Sequence, residues 1–114
     1  MTKTEKHLFI VFTNPVEGRE DEFDDWYDNR HLEDVLKVPG IVAAQRYKPS
    51  PVQRMELPLP WTRFAIYEIE TDDLKQTMDA LASRSGTDAM PLSDSLHEIR
   101  QAFVVQPLGE RRTR

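Results

Sequence analysis

The sequence predicts a small α+β protein in which one four-stranded antiparallel sheet carries two helices on one face. Four segments rich in β-branched and aromatic residues are separated by turn residues. Two segments with helical spacing of apolar residues follow the first and the third of them. The resulting order, β-α-β-β-α-β, is the split βαβ arrangement of ferredoxin-like folds. The length, 114 residues, fits one domain, which we expect to have an ordered core over about 7–107 and a flexible tail over 108–114.

The first strand is predicted over residues 7–13 (HLFIVFT), which are apolar on both alternations. This pattern is typical of a strand that is covered on both faces. The Asn-Pro pair at 14–15 ends the strand, and a helix is predicted to begin at Arg19 or Glu20. Acidic residues crowd its first turns, where the helix dipole is positive. The helix must end before the Pro-Gly pair at 39–40.

The second strand is predicted over residues 41–48. Strict alternation would place Ile41, Ala43, Gln45 and Tyr47 on one face and Val42, Ala44, Arg46 and Lys48 on the other. Residues 49–60 carry four of the eight prolines and are predicted to form a loop. The loop is long for a compact domain, so we expect it to serve function or a subunit contact.

The second half of the chain repeats the strand and helix signals. A third strand is predicted over residues 61–70. A helix capped by Thr71 or Asp72 follows and ends at the Ser-Gly pair at 85–86. A polar loop then leads to a fourth strand, predicted over residues 97–107.

Several large apolar side chains of the strands cannot all be hidden under two helices. They are Tyr47, Trp61, Phe64, Ile66, Phe103 and Val105. Pairing the sheet with a second copy of itself would cover them with the simplest symmetry. We therefore predict a homodimer formed through the sheet face.

Composition excludes several classes of function. The net charge is -5, with 15 basic and 20 acidic residues, which disfavours nucleic acid as a partner. The sequence has no cysteine, so disulfides, thiolate metal sites and cysteine nucleophiles are excluded. No signal-peptide pattern and no apolar run of membrane-spanning length are present, and we expect a cytoplasmic protein without a membrane partner.

His31 is the residue on which the functional prediction centres. It lies on the inward stripe of the first predicted helix, one turn after Tyr27, which places an imidazole beside a phenol. Phe23 and Trp26 would wall such a site with apolar surface, and burial lowers the pKa of a histidine. Asp34, three residues on, would instead raise that pKa. The pattern also fits a structural histidine that bonds a backbone carbonyl or Asp34.

Three further residues with chemically active side chains have weaker patterns. Arg46 alternates with apolar residues, so it either points under the helices, where it could hold a carboxylate, or forms an ordinary ion pair. His7 and His97 stand at strand starts, where we expect exposure. A metal site is not expected, because the helix bearing His31 supplies at most two of the roughly three ligands that a catalytic metal needs.

The first half of the chain resembles a known family. The segment 14–32 (NPVEGREDEFDDWYDNRHL), with the Pro-Gly-Ile turn at 39–41 and Gln-Arg-Tyr at 45–47, is similar to EthD-like proteins of the dimeric α+β barrel superfamily. Their pattern is an F-x-x-W-Y/W-x-x-x-H helix followed by a P-G turn into a strand. The resemblance implies a ligand cavity between helices and sheet, with His31 pointing into it. Members of the superfamily include cofactor-independent cyclases, decarboxylases, lyases and monooxygenases, and some bind haem.

These observations lead to a functional hypothesis with two alternatives. The chain is expected to be a small cofactor-independent lyase, isomerase or cyclase that acts on an aromatic or polyketide-like metabolite. His31 would move a proton, Tyr27 would bind the oxyanion, and Arg46 would hold an acidic group, with Phe23, Trp26 and Asp34 around the substrate. The alternatives are a binding protein without chemistry and a haem-using monooxygenase.

Overall fold

The computed structural model describes residues 3–114, so the first two residues of the predicted domain lie outside the described part. Its elements are β1 (Glu5–Thr13), α1 (Glu20–Trp26), a π-helical turn (Tyr27–His31), α2 (Leu32–Leu36), β2 (Ile41–Tyr47), β3 (Arg63–Thr71), α3 (Leu74–Arg84) and β4 (Gln101–Val105). The strands form one sheet in the order β2-β3-β1-β4, and every neighbouring pair is antiparallel. The predicted β-α-β-β-α-β fold class is confirmed.

The central strands β1 and β3 pair along their whole length, from Glu5 opposite Thr71 to Thr13 opposite Arg63. Side chains of alternate residues then point to the helices or to the outer face of the sheet. Phe9 and Tyr67 are directly opposite each other on the helix side, with ring centroids 6.0 Å apart. This pairing fixes the floor against which the helices pack.

The alternation predicted for β2 is wrong at its start. The pairing of β2 with β3 shifts between Ile41 and Ala43, so an extra residue is inserted there as a β-bulge. Ile41 therefore lies opposite Ile69 in the core, whereas Ala43 lies opposite Glu68. Val42 is half exposed. From Ala44 onwards the predicted alternation holds, and Arg46 lies on the side of the helices.

Two predicted boundaries in the second half need correction. The cap of α3 is Asp73 rather than Thr71 or Asp72, because its carboxylate accepts the Gln76 backbone N–H at 3.0 Å. The fourth strand is shorter than predicted, because β4 pairs only with residues 8–12 of β1. Residues 97–100 precede it and are not part of a strand.

The core lies between the helices and the sheet. Its fully buried side chains include Phe23, Tyr67, Ile69 and Met90. Leu74, Met78 and Leu81 of α3 pack against this cluster with partial exposure. In residues 3–114 no helix combines the length and the apolar character needed to cross a membrane.

The outer face of the sheet is also apolar. Phe12 lies at its centre, with its ring centroid 5.3 Å from that of Phe103 and 5.6 Å from that of Phe64. Tyr47, Phe103 and Val105 keep 40–45% of their surface exposed. Residues 49–60 form the predicted proline-rich loop, which Asn14 anchors by accepting the Thr62 N–H at 2.8 Å.

Candidate functional site

A cavity of about 410 Å³ opens between the helices and the sheet. This size is within the range of small-molecule sites. Its walls are mainly apolar, and the polar side chains among them are few: Thr13, Tyr27, His31, Tyr67, Ser85 and Arg100, with Gln101 at one edge. No Asp or Glu lines the cavity among the described residues. A ligand here would meet apolar surface and a small number of fixed polar groups.

The π-helical turn brings His31 to the cavity. The backbone N–H of Leu32 donates to the carbonyl of Tyr27, five residues earlier, so the helix widens by one residue at this turn. The imidazole of His31 then lies against Trp26, with ring centroids 4.6 Å apart, and edge-on to Tyr27 at 4.8 Å. Insertions of this kind are frequent at functional sites.

The imidazole of His31 has an unused hydrogen-bonding atom. Its Nδ1 is shielded from solvent and has no hydrogen-bond partner among residues 3–114. The structural alternative, in which His31 bonds a carbonyl or Asp34 through this atom, is therefore not what the structure contains. Leaving a buried polar atom unpaired costs free energy. Because Nδ1 is shielded, the imidazole presents its other atoms to the cavity that it lines.

The two opposed influences on the pKa of His31 are resolved in favour of burial. Desolvation lowers the pKa to about 4, and the attraction of Asp34 for the protonated form only partly offsets it. Arg100 adds a smaller lowering effect, because its positive charge repels the imidazolium. His31 is therefore neutral at physiological pH and can accept a proton or a hydrogen bond.

A pair of tyrosines forms the second polar feature. The hydroxyl oxygens of Tyr27 and Tyr67 lie 2.7 Å apart and are buried. Burial raises the pKa of each phenol above its usual value, so both keep their protons. One hydroxyl donates to the other, which leaves the second O–H free to donate to a ligand oxygen in the cavity.

Arg46 lies under the helices but does not enter the cavity. Its guanidinium donates to Asp24 at 2.6 Å and to Asp28 at 2.8 Å. Arg63 binds the same Asp24 with two hydrogen bonds. The bonds from Arg63, and then those from Arg46, lower the pKa of Asp24 to about 2. Both alternatives considered for Arg46 are thus partly realised: it has the helix-side position and an ion-pair role.

Arg46 also contacts the site indirectly. Its guanidinium carbon lies 4.7 Å from the ring centroid of Tyr27 and 5.7 Å from that of Phe23. Phe23 itself is fully buried and packs against Tyr27 with ring centroids 5.6 Å apart, outside the cavity lining. These two residues hold Tyr27 in place from behind.

The remaining candidates are dispersed. Asp34 is buried and accepts a hydrogen bond from Arg30 at 2.7 Å, so it acts on His31 by charge rather than by contact. His97 is only half-buried and accepts the Ile99 N–H. The expected exposure of His7 is wrong, because alternation along β1 points its side chain to the helix side, where it is 4% exposed.

Two site residues were missed by sequence reasoning. Tyr67 follows Ala65 and precedes Ile69 on the helix face of β3, so alternation would have placed it in the cavity floor once β3 was known to be central. Arg100 was assigned to the fourth strand, and nothing in that pattern distinguished it. In residues 3–114, no group of three or more His, Asp and Glu side chains is placed so that it could hold a metal ion.

The fold and the cavity define a small ferredoxin-like α+β protein with a ligand-sized space between helices and sheet. Two solved structures are similar to it. One is an EthD family protein from Bacillus halodurans C-125, with a TM-score of 0.59 and 18% identity, covering 91% of this chain and 99% of that one. The other is HapK from Hahella chejuensis, with a TM-score of 0.50 and 13% identity, covering 96% and 98%.

The resemblance to EthD-like proteins is thereby confirmed at the level of the fold. No model of a known protein family matches the chain, and no curated protein matches it either. The function therefore has to be argued from the geometry of the site.

Proposed function

We propose that this protein is a small enzyme that moves a proton on an apolar, aromatic or polyketide-like metabolite, without a cofactor, in lyase, isomerase or cyclase chemistry. The observation that carries the proposal is the neutral imidazole of His31 in the lining of an apolar cavity, with no hydrogen bond from its Nδ1 to give it a structural role. A neutral imidazole is the form that a general base requires. Trp26 supplies a flat apolar surface for the substrate.

The tyrosine pair provides the complementary group. Removal of a proton next to a carbonyl creates an oxyanion, which needs a hydrogen-bond donor that is already in place. The free O–H of the pair Tyr27 and Tyr67 meets this need, and the hydrogen bond between the two hydroxyls polarises it. Phe23 and Arg46 position Tyr27, and Asp34 tunes His31 through its charge.

One observation favours a second candidate function, a binding protein without chemistry. A histidine whose pKa is about 4 is a weak base at neutral pH, because general bases work best when their pKa is near the working pH. In that case His31 would accept a hydrogen bond from a ligand hydroxyl and the ligand would be released unchanged.

Deuterium exchange distinguishes the two functions. β-Tetralone, a flat aromatic ketone with acidic protons next to its carbonyl, would be incubated with the protein in deuterated buffer and followed by NMR. The enzyme proposal predicts exchange faster than in buffer, by about a hundredfold, and loss of this effect in His31→Gln. His97→Gln is the control, because His97 does not line the cavity.

Each outcome has a distinct meaning. Shifts of the His31 signals without faster exchange would support the binding protein. An unchanged His31 spectrum would overturn both functions. A Soret band in the freshly purified protein would instead support the haem-using alternative.

We further propose that the protein acts as a homodimer through the outer face of the sheet. Leu8, Tyr47, Phe103 and Val105 are large apolar side chains of this face, and each is at least 37% exposed. Sedimentation equilibrium should give twice the mass of the chain. Phe103→Glu should produce the monomer, whereas Leu36→Glu, at an exposed position in α2, should leave the dimer intact.

A further inference from the structure

Arg100 is exposed, is the only arginine among the described residues that line the cavity, and has no acidic partner there. Arg19, Arg30, Arg46 and Arg63 each bind at least one carboxylate at 3.0 Å or less. Arg100 makes no ion pair with any Asp or Glu in residues 3–114, although the chain has five more acidic than basic residues. An unpaired guanidinium in so acidic a protein is available for an anion.

The position of Arg100 makes it available to an anion inside the cavity. Arg100 lines the cavity next to β4, and the cavity has no negatively charged side chain among the described residues. His31 lines the same cavity, and the positive charge of Arg100 makes a small contribution to the low pKa of His31. The cavity therefore has one positively charged side chain in a lining that is mainly apolar.

We infer that Arg100 selects the ligand, and that the substrate class is a flat apolar carboxylic acid whose carboxylate binds the Arg100 guanidinium while its ring system fills the cavity beside Trp26 and His31. The planar fork of a guanidinium matches a carboxylate with two parallel hydrogen bonds. This inference rests on the proposed function of the cavity. It gives to Arg100 the role that the sequence had suggested for Arg46, whose donors are already used by Asp24 and Asp28.

The test compares two probes of the same shape, β-naphthoic acid and β-naphthamide, by calorimetric titration at neutral pH. The acid should bind at least about tenfold more tightly than the neutral amide, which is the ordinary gain from a charge-assisted hydrogen bond. Arg100→Gln should lower the affinity for the acid to that for the amide and leave the amide unaffected. Added salt should weaken the binding of the acid and leave the binding of the amide unchanged.

Two variants control the comparison. Arg100→Lys keeps the charge but loses the planar fork, so its affinity for the acid should be intermediate. Arg111→Gln removes one positive charge from an exposed position in the tail and should leave both affinities unchanged. Circular dichroism of each variant establishes that it is folded.

The outcomes separate this inference from the function on which it rests. If acid and amide bind equally and Arg100→Gln changes neither, Arg100 does not select the ligand, but the apolar cavity stands as a binding site. If neither probe binds and the His31 signals ignore both, the inference and the proposed function fail together.

Discussion

The hydroxyl groups of Tyr27 and Tyr67 are 2.7 Å apart in the floor of the cavity, although the two residues are 40 positions apart in the chain. One comes from the π-helical turn and the other from the central strand β3. Their hydrogen bond therefore joins the helix layer to the sheet at the point where a ligand would bind. The bond links the two layers, and the O–H that it does not use can donate to a ligand.

The tyrosine pair can be tested by a double-mutant cycle. Tyr67→Phe leaves the buried hydroxyl of Tyr27 without its partner and should lower the free energy of unfolding by about 1–3 kcal/mol. Tyr27→Phe should cost a similar amount. The double variant should lose less free energy of unfolding than the two single variants added together, because neither hydroxyl then remains buried without a partner. Urea unfolding measures all four proteins, and simple additivity would contradict the hydrogen bond.

Asp24 is expected to be the stabilising centre of the charged cluster. Asp24→Asn leaves the guanidiniums of Arg46 and Arg63, which are 15% and 22% exposed, with too little negative charge. The free energy of unfolding should fall by about 1–3 kcal/mol, as expected for unpaired, partly buried charges. Because the cluster lies outside the cavity, the affinity for β-naphthoic acid should stay unchanged.

Asp25→Asn provides the matched control for the cluster. Asp25 is exposed and its carboxylate accepts only the Asn29 side-chain N–H on the same helix, so this variant should be nearly as stable as the wild type. Equal stabilities of the two variants would show that the cluster contributes nothing. Tighter binding of the acid by Asp24→Asn would instead indicate that the released guanidinium of Arg46 binds the ligand.

Sequence patterns sufficed for the element order because they report which face of each element is apolar. The helix beginning at Glu20 and the strand beginning at Ile41 follow directly from dipole-favourable acids and a Pro-Gly turn. The bulge after Ile41 and the π-helical turn at Tyr27 depend on hydrogen bonds whose partners no periodicity reveals. Each inserts one residue. The bulge shifts the faces that alternation predicts for the strand, and the π-helical turn shifts the faces that a spacing of 3.6 residues predicts for the helix.

The sequence predicted the pairing of His31 with Tyr27 in the candidate site, but not the roles of the arginines. Tyr27 and His31 are four residues apart, a spacing that predicts neighbours on a helix. The contact of His31 with Trp26, five residues earlier, depends on the π-helical turn. Arg46 is paired with Asp24 and Asp28, which are distant from it in sequence, whereas Arg100 has no carboxylate partner among the described residues. The sequence offered no way to see that Asp24 uses the charge of Arg46 and that Arg100 is left unpaired.

Gly40 should be more sensitive to substitution than Gly18. Both have positive φ angles, +97° and +83°, which disfavour any side chain. A Cβ at Gly40 would also lie 2.7 Å from Oγ1 of Thr77, whereas a Cβ at Gly18 meets nothing within 4 Å. Gly18→Ala should cost about 1 kcal/mol and Gly40→Ala about 2 kcal/mol or more in thermal or urea unfolding.

The substitution at Gly40 has its own internal check. If the clash with Thr77 causes the extra loss of stability, Gly40→Ala should lower the free energy of unfolding by less in a Thr77→Ala background than in the wild type. An unchanged difference would attribute the whole effect to the backbone angle.

The low pKa of His31 predicts a loss of stability in mild acid. The folded protein has a His31 pKa of about 4 and the unfolded chain about 6.5, so between these values the unfolded chain binds more protons. Stability is therefore full above about pH 6.5, falls as the pH falls towards 4, and loses up to about 3 kcal/mol. His31→Gln should lack this decline in urea unfolding measured across the range.

The charge of Asp24 produces a separate pH window. Its pKa is lowered from 3.8 to about 2, so its contribution is lost only as the pH falls below about 4. The decline between pH 6.5 and 4 should thus survive in Asp24→Asn. If Asp24→Asn abolished the decline, the decline would come from Asp24 and not from His31.

Two charges of opposite sign should move the pKa of His31 in opposite directions. Arg100 lowers that pKa and Asp34 raises it, although burial is the larger cause. Arg100→Gln should raise the pKa of His31 in an NMR titration, and Asp34→Asn should lower it further. Binding of β-naphthoic acid should act like Arg100→Gln, because its carboxylate neutralises the same guanidinium. A ligand that fills the cavity without moving the His31 signals would show that Arg100 and His31 do not share a site, and the selection of an acid by this cavity would have to be abandoned.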